Sequence, residues 1–155
     1  MVATQHLHST LQQHWSESAS SGIPTLYPGT RQETSQLPEW FELWVDALSD
    51  QPSRRIAPDR LDGTITVHCF TQQRHHPARV YELADLARQA LDHQRLRILD
   101  RSATPPLEVG HVDIYEPQIR DLSRTHQNAG SLLLRHIVLT WSFVAQKTTS
   151  SPSAT

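Results

Sequence analysis

TITVHCFTQQRHHPARVYELADLARQAL, residues 64–91, changes its hydrophobic period in the middle. In the first part Ile65, Val67 and Cys69 alternate with Thr66, His68 and Phe70. A period of two predicts a strand over 64–72, with the two sets on opposite faces. From Pro77 onward Val80, Leu83, Ala84, Ala87 and Leu91 recur at helical spacing, with Leu86 on the flank. That spacing predicts a helix over 77–95 with one continuous apolar face. Pro77 suits the first helical turn, where a missing N–H costs no hydrogen bond. The polar junction QQRHH, 72–76, separates the two elements.

Upstream, EWFELWVDALSD, 39–50, repeats the strand pattern. Phe41, Leu43, Val45 and Ala47 alternate with Glu42, Trp44 and Asp46, and Pro38 precedes them. Aromatic enrichment and a preceding proline favour strand over helix. At the N-terminus Leu7, Leu11 and Trp15 recur every four positions and predict a short helix over 3–17, ended by the small residues 18–22. Residues 23–38 read as an extended loop turning at Tyr27-Pro28-Gly29, and 51–63 as a loop closing on Asp62-Gly63.

Downstream, LRILD, 96–100, is a short strand. LEVGHVDIYEP, 107–117, is another, with a bulge expected at Gly110. Residues 120–131 form a polar loop, and LLLRHIVLTWSFVAQ, 132–146, is a long closing strand. In that last strand Leu133, Arg135, Ile137, Leu139, Trp141 and Phe143 share one face, while His136, Val138, Thr140, Ser142 and Val144 share the other. Five strands, two helices and no crossover helix after residue 95 predict an α+β domain over 1–146. Its mainly antiparallel, twisted sheet would carry two helices packed on one face. The second sheet face is mixed polar and apolar, as expected where loops or another subunit cover it. KTTSSPSAT, 147–155, reads as a flexible polar tail.

Composition narrows the function classes. The chain has 155 residues, 37% hydrophobic, with 14 basic and 16 acidic residues and a formal net charge of −2. There is no basic footprint for nucleic acid and no polybasic membrane patch. No apolar run is long enough to span a bilayer, and the first fifteen residues lack the regions of a signal peptide. One cysteine forms no internal disulfide, in keeping with a reducing cytosol.

The dense cluster HCFTQQRHHPAR, 68–79, invites a metal or a catalytic reading. A structural zinc site needs four ligands in paired short spacings. His68 and Cys69 are adjacent in a strand and point to opposite faces, and no second ligand pair follows His75 and His76. Cys69 shares its face with Ile65 and Val67, the setting of a small buried hydrophobe rather than of an activated thiolate. The ten histidines are scattered apart from the His6/His8 pair, and the carboxylates Asp46, Asp62 and Asp113 lie in different elements. There is no phosphate loop, nucleophile elbow or zinc-protease motif. No catalytic residue, metal or cofactor is therefore expected. Of the four tryptophans, Trp44 sits opposite Phe41 and Leu43 on its strand, so it is expected to face away from the core as an interface anchor.

The layout resembles the tail-terminator (tail-completion) proteins of long-tailed bacteriophages and phage-like particles. The likeness rests on LQQHWSES (11–18), GIPTLYPGT (22–30), LPEWFELWV (37–45), ITVHCFTQ (65–72), ARVYELADLARQAL (78–91), VGHVDIYEP (109–117) and LLRHIVLTWSFVA (133–145). It covers about residues 5–146 as a pattern of order and spacing. The resemblance implies a structural, non-enzymatic virion protein made in the host cytoplasm and located at the tail neck. It would form a ring, hexameric in that family, that ends tail-tube polymerisation and joins the tail to the head connector. Its partners would be copies of itself, the tube protein and the connector, with DNA only passing through the channel. On this reading Arg74, His75 and His76 form an assembly loop and Trp44 an interface residue. The alternatives are another neck or stopper component, or a small ligand-binding or enzymatic α+β domain using His68, Cys69 or His75.

Overall fold

The computed structural model describes residues 2–19, 22–50, 60–72, 76–123 and 134–148. The chain runs α1 (Thr4–Ser18), β1 (Thr25–Leu26), β2 (Glu39–Asp50), β3 (Arg60–Thr71), α2 (Arg79–Leu91), β4 (Arg95–Asp100), β5 (Leu107–Asp121) and β6 (Arg135–Lys147). The fold is α+β. One six-stranded sheet has the order β1-β2-β3-β6-β5-β4. All pairs are antiparallel except the short parallel pair of β1 with β2, so the sheet is mixed.

The period change at residues 64–91 becomes a strand, a junction and a helix. β3 buries every second residue, and α2 buries Val80, Leu83, Ala84, Ala87, Ala90 and Leu91. Pro77 lies in the turn before the helix rather than inside it. Ala78 is the N-cap, and Arg79 N–H donates to His76 O at 3.0 Å. The helix stops at Leu91, short of residue 95, because Asp92 turns to an extended conformation and His93 adopts φ 54°. A left-handed residue cannot continue a right-handed helix.

The extended loop expected over 23–38 holds one more strand than the pattern shows. Thr25 and Leu26 pair with Phe41 and Glu42. Two residues are too few to display a period, so β1 leaves no pattern to read. The Tyr27-Pro28-Gly29 turn forms as read, with Gly29 at φ 83° and Thr30 N–H donating to Tyr27 O. Pro followed by a left-handed glycine is the signature of a type II turn.

Other boundaries shift outward. Asp62-Gly63 lies inside β3 rather than ending a loop, because Asp62 and Gly63 pair with Val144 and Phe143 of β6. β5 continues to Asp121 through four residues past its expected end, held by pairing of Gln118 to Asp121 with Thr140 to Ile137. At the other end of β6, Lys147 is still strand and Thr148 N–H donates to Val109 O at 3.1 Å. Residues 147 and 148, expected in the polar tail, are thus held to the sheet, and 149–155 lie outside the described residues.

The core face of the sheet carries Phe41, Leu43, Ile65, Val67, Cys69, Val112, Ile114, Ile137, Leu139, Trp141 and Phe143. These residues form one buried cluster with Leu7, Leu11 and Trp15 of α1 and the apolar face of α2. The two helices reach it by different routes: α1 touches β4 and α2, while α2 touches β3, β5 and β6. Polar side chains fix these contacts. Trp15 Nε1 donates to Thr25 Oγ1 at 2.9 Å, Trp141 Nε1 to Asp92 Oδ1 at 2.8 Å, and His14 bonds Ala90 O at 2.7 Å. The Trp15 indole meets Phe41 edge to face, with centroids 5.1 Å apart. Such pairs add roughly 0.5–1.5 kcal/mol beyond the area they bury.

Candidate functional site

The residues singled out in the sequence lie apart. Trp44 is in the middle of β2, on the outer face, and is 39% exposed. His76 is exposed at the foot of α2, its carbonyl engaged by Arg79 N–H. Arg74 and His75 fall outside the described residues.

Cys69 lies fully buried against Ile65 and Val67 in the core cluster. Burial pushes its thiol well above the usual range. A thiolate nucleophile needs the opposite, a lowered pKa and an exposed position. Among the described residues, no group of three or more His, Cys, Asp or Glu is placed to hold a metal ion. Within those residues, too, no helix is long and apolar enough to cross a membrane.

Strand registry organises the outer face into rows. Trp40, Phe70 and His136 form one row; Glu42, His68 and Val138 the next; then Trp44, Thr66 and Thr140; then Asp46, Thr64 and Ser142. Directly paired residues on one face are in contact range, and their diagonal neighbours are within reach of rings. The first row is an aromatic stack. Trp40 lies on Phe70 at 4.9 Å and Phe70 on His136 at 4.1 Å. All three are buried, although they point away from the core. The loop before β2 is tied down at this end, since Gln72 N–H donates to Pro38 O and Gln72 Nε2 to Thr34 O.

Sequence reading treated the histidines as scattered and missed the pair at the edge of this stack. His68 Nδ1 and His136 Nε2 are 2.8 Å apart, with the rings stacked at 5.1 Å. One imidazole donates and the other accepts, so the bond needs an unprotonated nitrogen. Burial lowers the pKa of His68, and the charges of Glu42 and Asp46 oppose that effect in part. The available signal was parity: both histidines occupy outward positions of strands that prove to be neighbours. Only the strand order, β3 beside β6, brings them together.

A second polar system anchors the start of α2. Arg79 grips Glu39 with two hydrogen bonds, Nε to Oε2 at 2.7 Å and Nη2 to Oε1 at 2.8 Å, and reaches Glu82 with Nη1 at 2.7 Å. This bidentate pairing, the strong form of the ion pair, fixes the helix to the first residue of β2. Two residues further along α2, Tyr81 Oη donates to Asp121 Oδ2 of β5 at 2.8 Å. Bonding from Ser123 first, and from Tyr81, keeps the Asp121 carboxyl below the usual carboxylate range.

The sheet also presents edges. β1 covers β2 only at Phe41 and Glu42, and among the described residues no strand pairs with β2 beyond them on that side. At the opposite edge lies β4. An exposed edge is a template for pairing with another chain.

No family model and no curated protein matches this chain. Seventeen chains of solved structures do. One of them, a protein known only by a serial identifier, superposes with a TM-score of 0.65 at 9% identity, over 97% of this chain and 100% of its own. At that identity the likeness establishes a shared fold and nothing about activity.

Proposed function

We propose that this protein is a structural component of a phage-type tail neck, a tail terminator that forms a ring, expected to be hexameric, on the end of the tail tube. The observation that carries the reading is a sheet whose edge strands β2 and β4 keep stretches unpaired among the described residues, with a half-exposed Trp44 on its outer face. A closed ring needs two different complementary surfaces on each subunit, which opposite sheet edges supply. The order helix, aromatic strand, long strand, helix and closing strands agrees with the family pattern. In this reading both helices cover one face of a twisted sheet, and the single core that joins α1, α2 and the sheet supports it.

In the same reading the tube protein and the head connector bind the two ends of the ring, and DNA crosses its lumen. The near-neutral chain, at −2 overall, suits a part whose durable partners are proteins. His76 and its neighbours at the foot of α2 supply the assembly loop. The site chemistry favours binding over turnover, because the one thiol is buried and its pKa raised.

Native mass spectrometry, run with and without short tail-tube segments, tests the proposal. A discrete ring, alone or on tubes, is the expected result. A chain that stays monomeric in the presence of tubes overturns it. A ring that binds head connectors but ignores tubes transfers the protein to the neck or stopper class instead.

A further inference from the structure

The two open edges of the sheet carry opposite charge on the same face. On β2 the outward residues ahead of the register shift at Asp46 are Trp40, Glu42, Trp44 and Asp46; Asp46 lies on the stretch beyond β1, and Glu42 at its border beside Leu26. On β4 the residues ahead of the register shift at Ile98 are Arg95, Leu96, Arg97 and Ile98. Arg95 and Arg97 pair with Asp113 and His111, which pair in turn with Val144 and Gln146. That places both arginines on the outer face, with Glu42 and Asp46. Their side chains are 67% and 76% exposed. Asp113 and Glu108 stand 3.6 and 3.8 Å from them, but these acids belong to β5, one strand further in. An approaching partner meets the arginines first.

Direction agrees with charge. From β2 to β3, β6, β5 and β4 every pairing is antiparallel, so β2 and β4 run the same way. A second copy set beside the first, its β4 next to the open stretch of β2, therefore continues the sheet with its outer face on the same side. With the outward residues in phase, Trp44 and Asp46 of one copy lie beside Arg95 and Arg97 of the next, and Glu42 stands diagonal to Arg95. Beyond Ile98 the edge is already engaged, since Leu99 N–H donates to Thr10 Oγ1 of α1 at 3.4 Å. A two-fold dimer through β4 would instead oppose arginines, an arrangement disfavoured by like-charge contact.

We infer that copies of this chain associate head to tail, the acidic open edge of β2 in one subunit receiving the arginine edge of β4 in the next. The inference rests on the ring reading only in taking a second copy as partner; it supplies the interface that the reading lacks. Heterologous contacts of this kind close into rings when the rotation allows and otherwise run on as filaments.

Charge exchange on the full chain tests it. One variant carries Arg95→Glu and Arg97→Glu, the other Glu42→Lys and Asp46→Lys. Mass is read by light scattering at high protein concentration and low salt, with circular dichroism as the control for folding. The wild type is expected to assemble and to dissociate as salt rises, because exposed pairs are screened. Each variant alone is expected to associate about a hundredfold more weakly, since like charges then face each other. An equimolar mixture is expected to reassemble, because each edge again meets its opposite.

Neutral versions, Arg95→Gln with Arg97→Gln and Glu42→Gln with Asp46→Asn, are expected to lose about tenfold, by the same argument; they keep the test open should a reversal impair folding. A wild type that stays monomeric, variants that assemble like wild type, or a folded mixture that stays apart would each overturn the inference. Assembly through these edges by a chain that ignores tail tubes would sink the proposed function and leave this interface standing.

Discussion

At the scale of single residues, Cys69 and His68 show how adjacency in sequence misleads. They are neighbours in the chain, yet the strand sends one into the core and the other to the outer face. Cys69 is expected to react with a thiol reagent only when the protein opens. Labelling under native conditions should track the unfolding equilibrium, and fast labelling of the folded protein would contradict the burial. His68 makes a prediction about acid. Its folded pKa lies below the unfolded value of about 6.5, so between the two the unfolded chain binds more protons. Stability is complete above about pH 6.5 and falls as the pH drops toward the folded pKa. His68→Gln should flatten that part of a plot of stability against pH, measured by urea denaturation. An unchanged slope would assign the acid sensitivity to other groups.

At the scale of elements, Gly110 is the position where backbones crowd. A Cβ at that position would collide with the carbonyl oxygen of Gln146 on β6. It also sits beside the register shift between β4 and β5, the bulge its place in the sequence suggests. Gly110→Ala is expected to destabilise by about 1–3 kcal/mol, the usual cost of forcing atoms into packed structure. A denaturant midpoint equal to wild type would mean that the strands part without cost.

The elements show what a sequence can and cannot reveal. Every element with a repeated hydrophobic period, α1, β2, β3, α2 and β6, was legible, and the alternation of Phe41 to Ala47 marks the body of β2 up to the register shift after Asp46. β1 was not legible, since its two residues are strand only because Phe41 and Glu42 lie beside them. The extension of β5 into Arg120 and Asp121 was hidden for a related reason. Those residues are polar and exposed, and only pairing with β6 makes them strand. The candidate surface divides in the same way. The outward turn of Trp44 follows from alternation alone, whereas the His68–His136 pair and the facing of acidic and basic edges depend on strand order.

For the whole molecule, the account joins a single core, a registered outer face and two unlike edges. The core fixes the sheet, and the sheet holds Glu42, Trp44 and Asp46 on one border and Arg95 and Arg97 on the other. The proposed head-to-tail contact joins these two borders in successive copies, and the proposed ring stops a growing tube. The most direct measurement is tube growth itself. Purified tail-tube protein is allowed to polymerise with increasing amounts of this chain, and tube ends and lengths are followed by electron microscopy. The account predicts ring-shaped density on the tube ends and arrest of elongation once the ends are saturated. Tubes that lengthen at the same rate with bare ends, at every ratio of the two proteins, would contradict it.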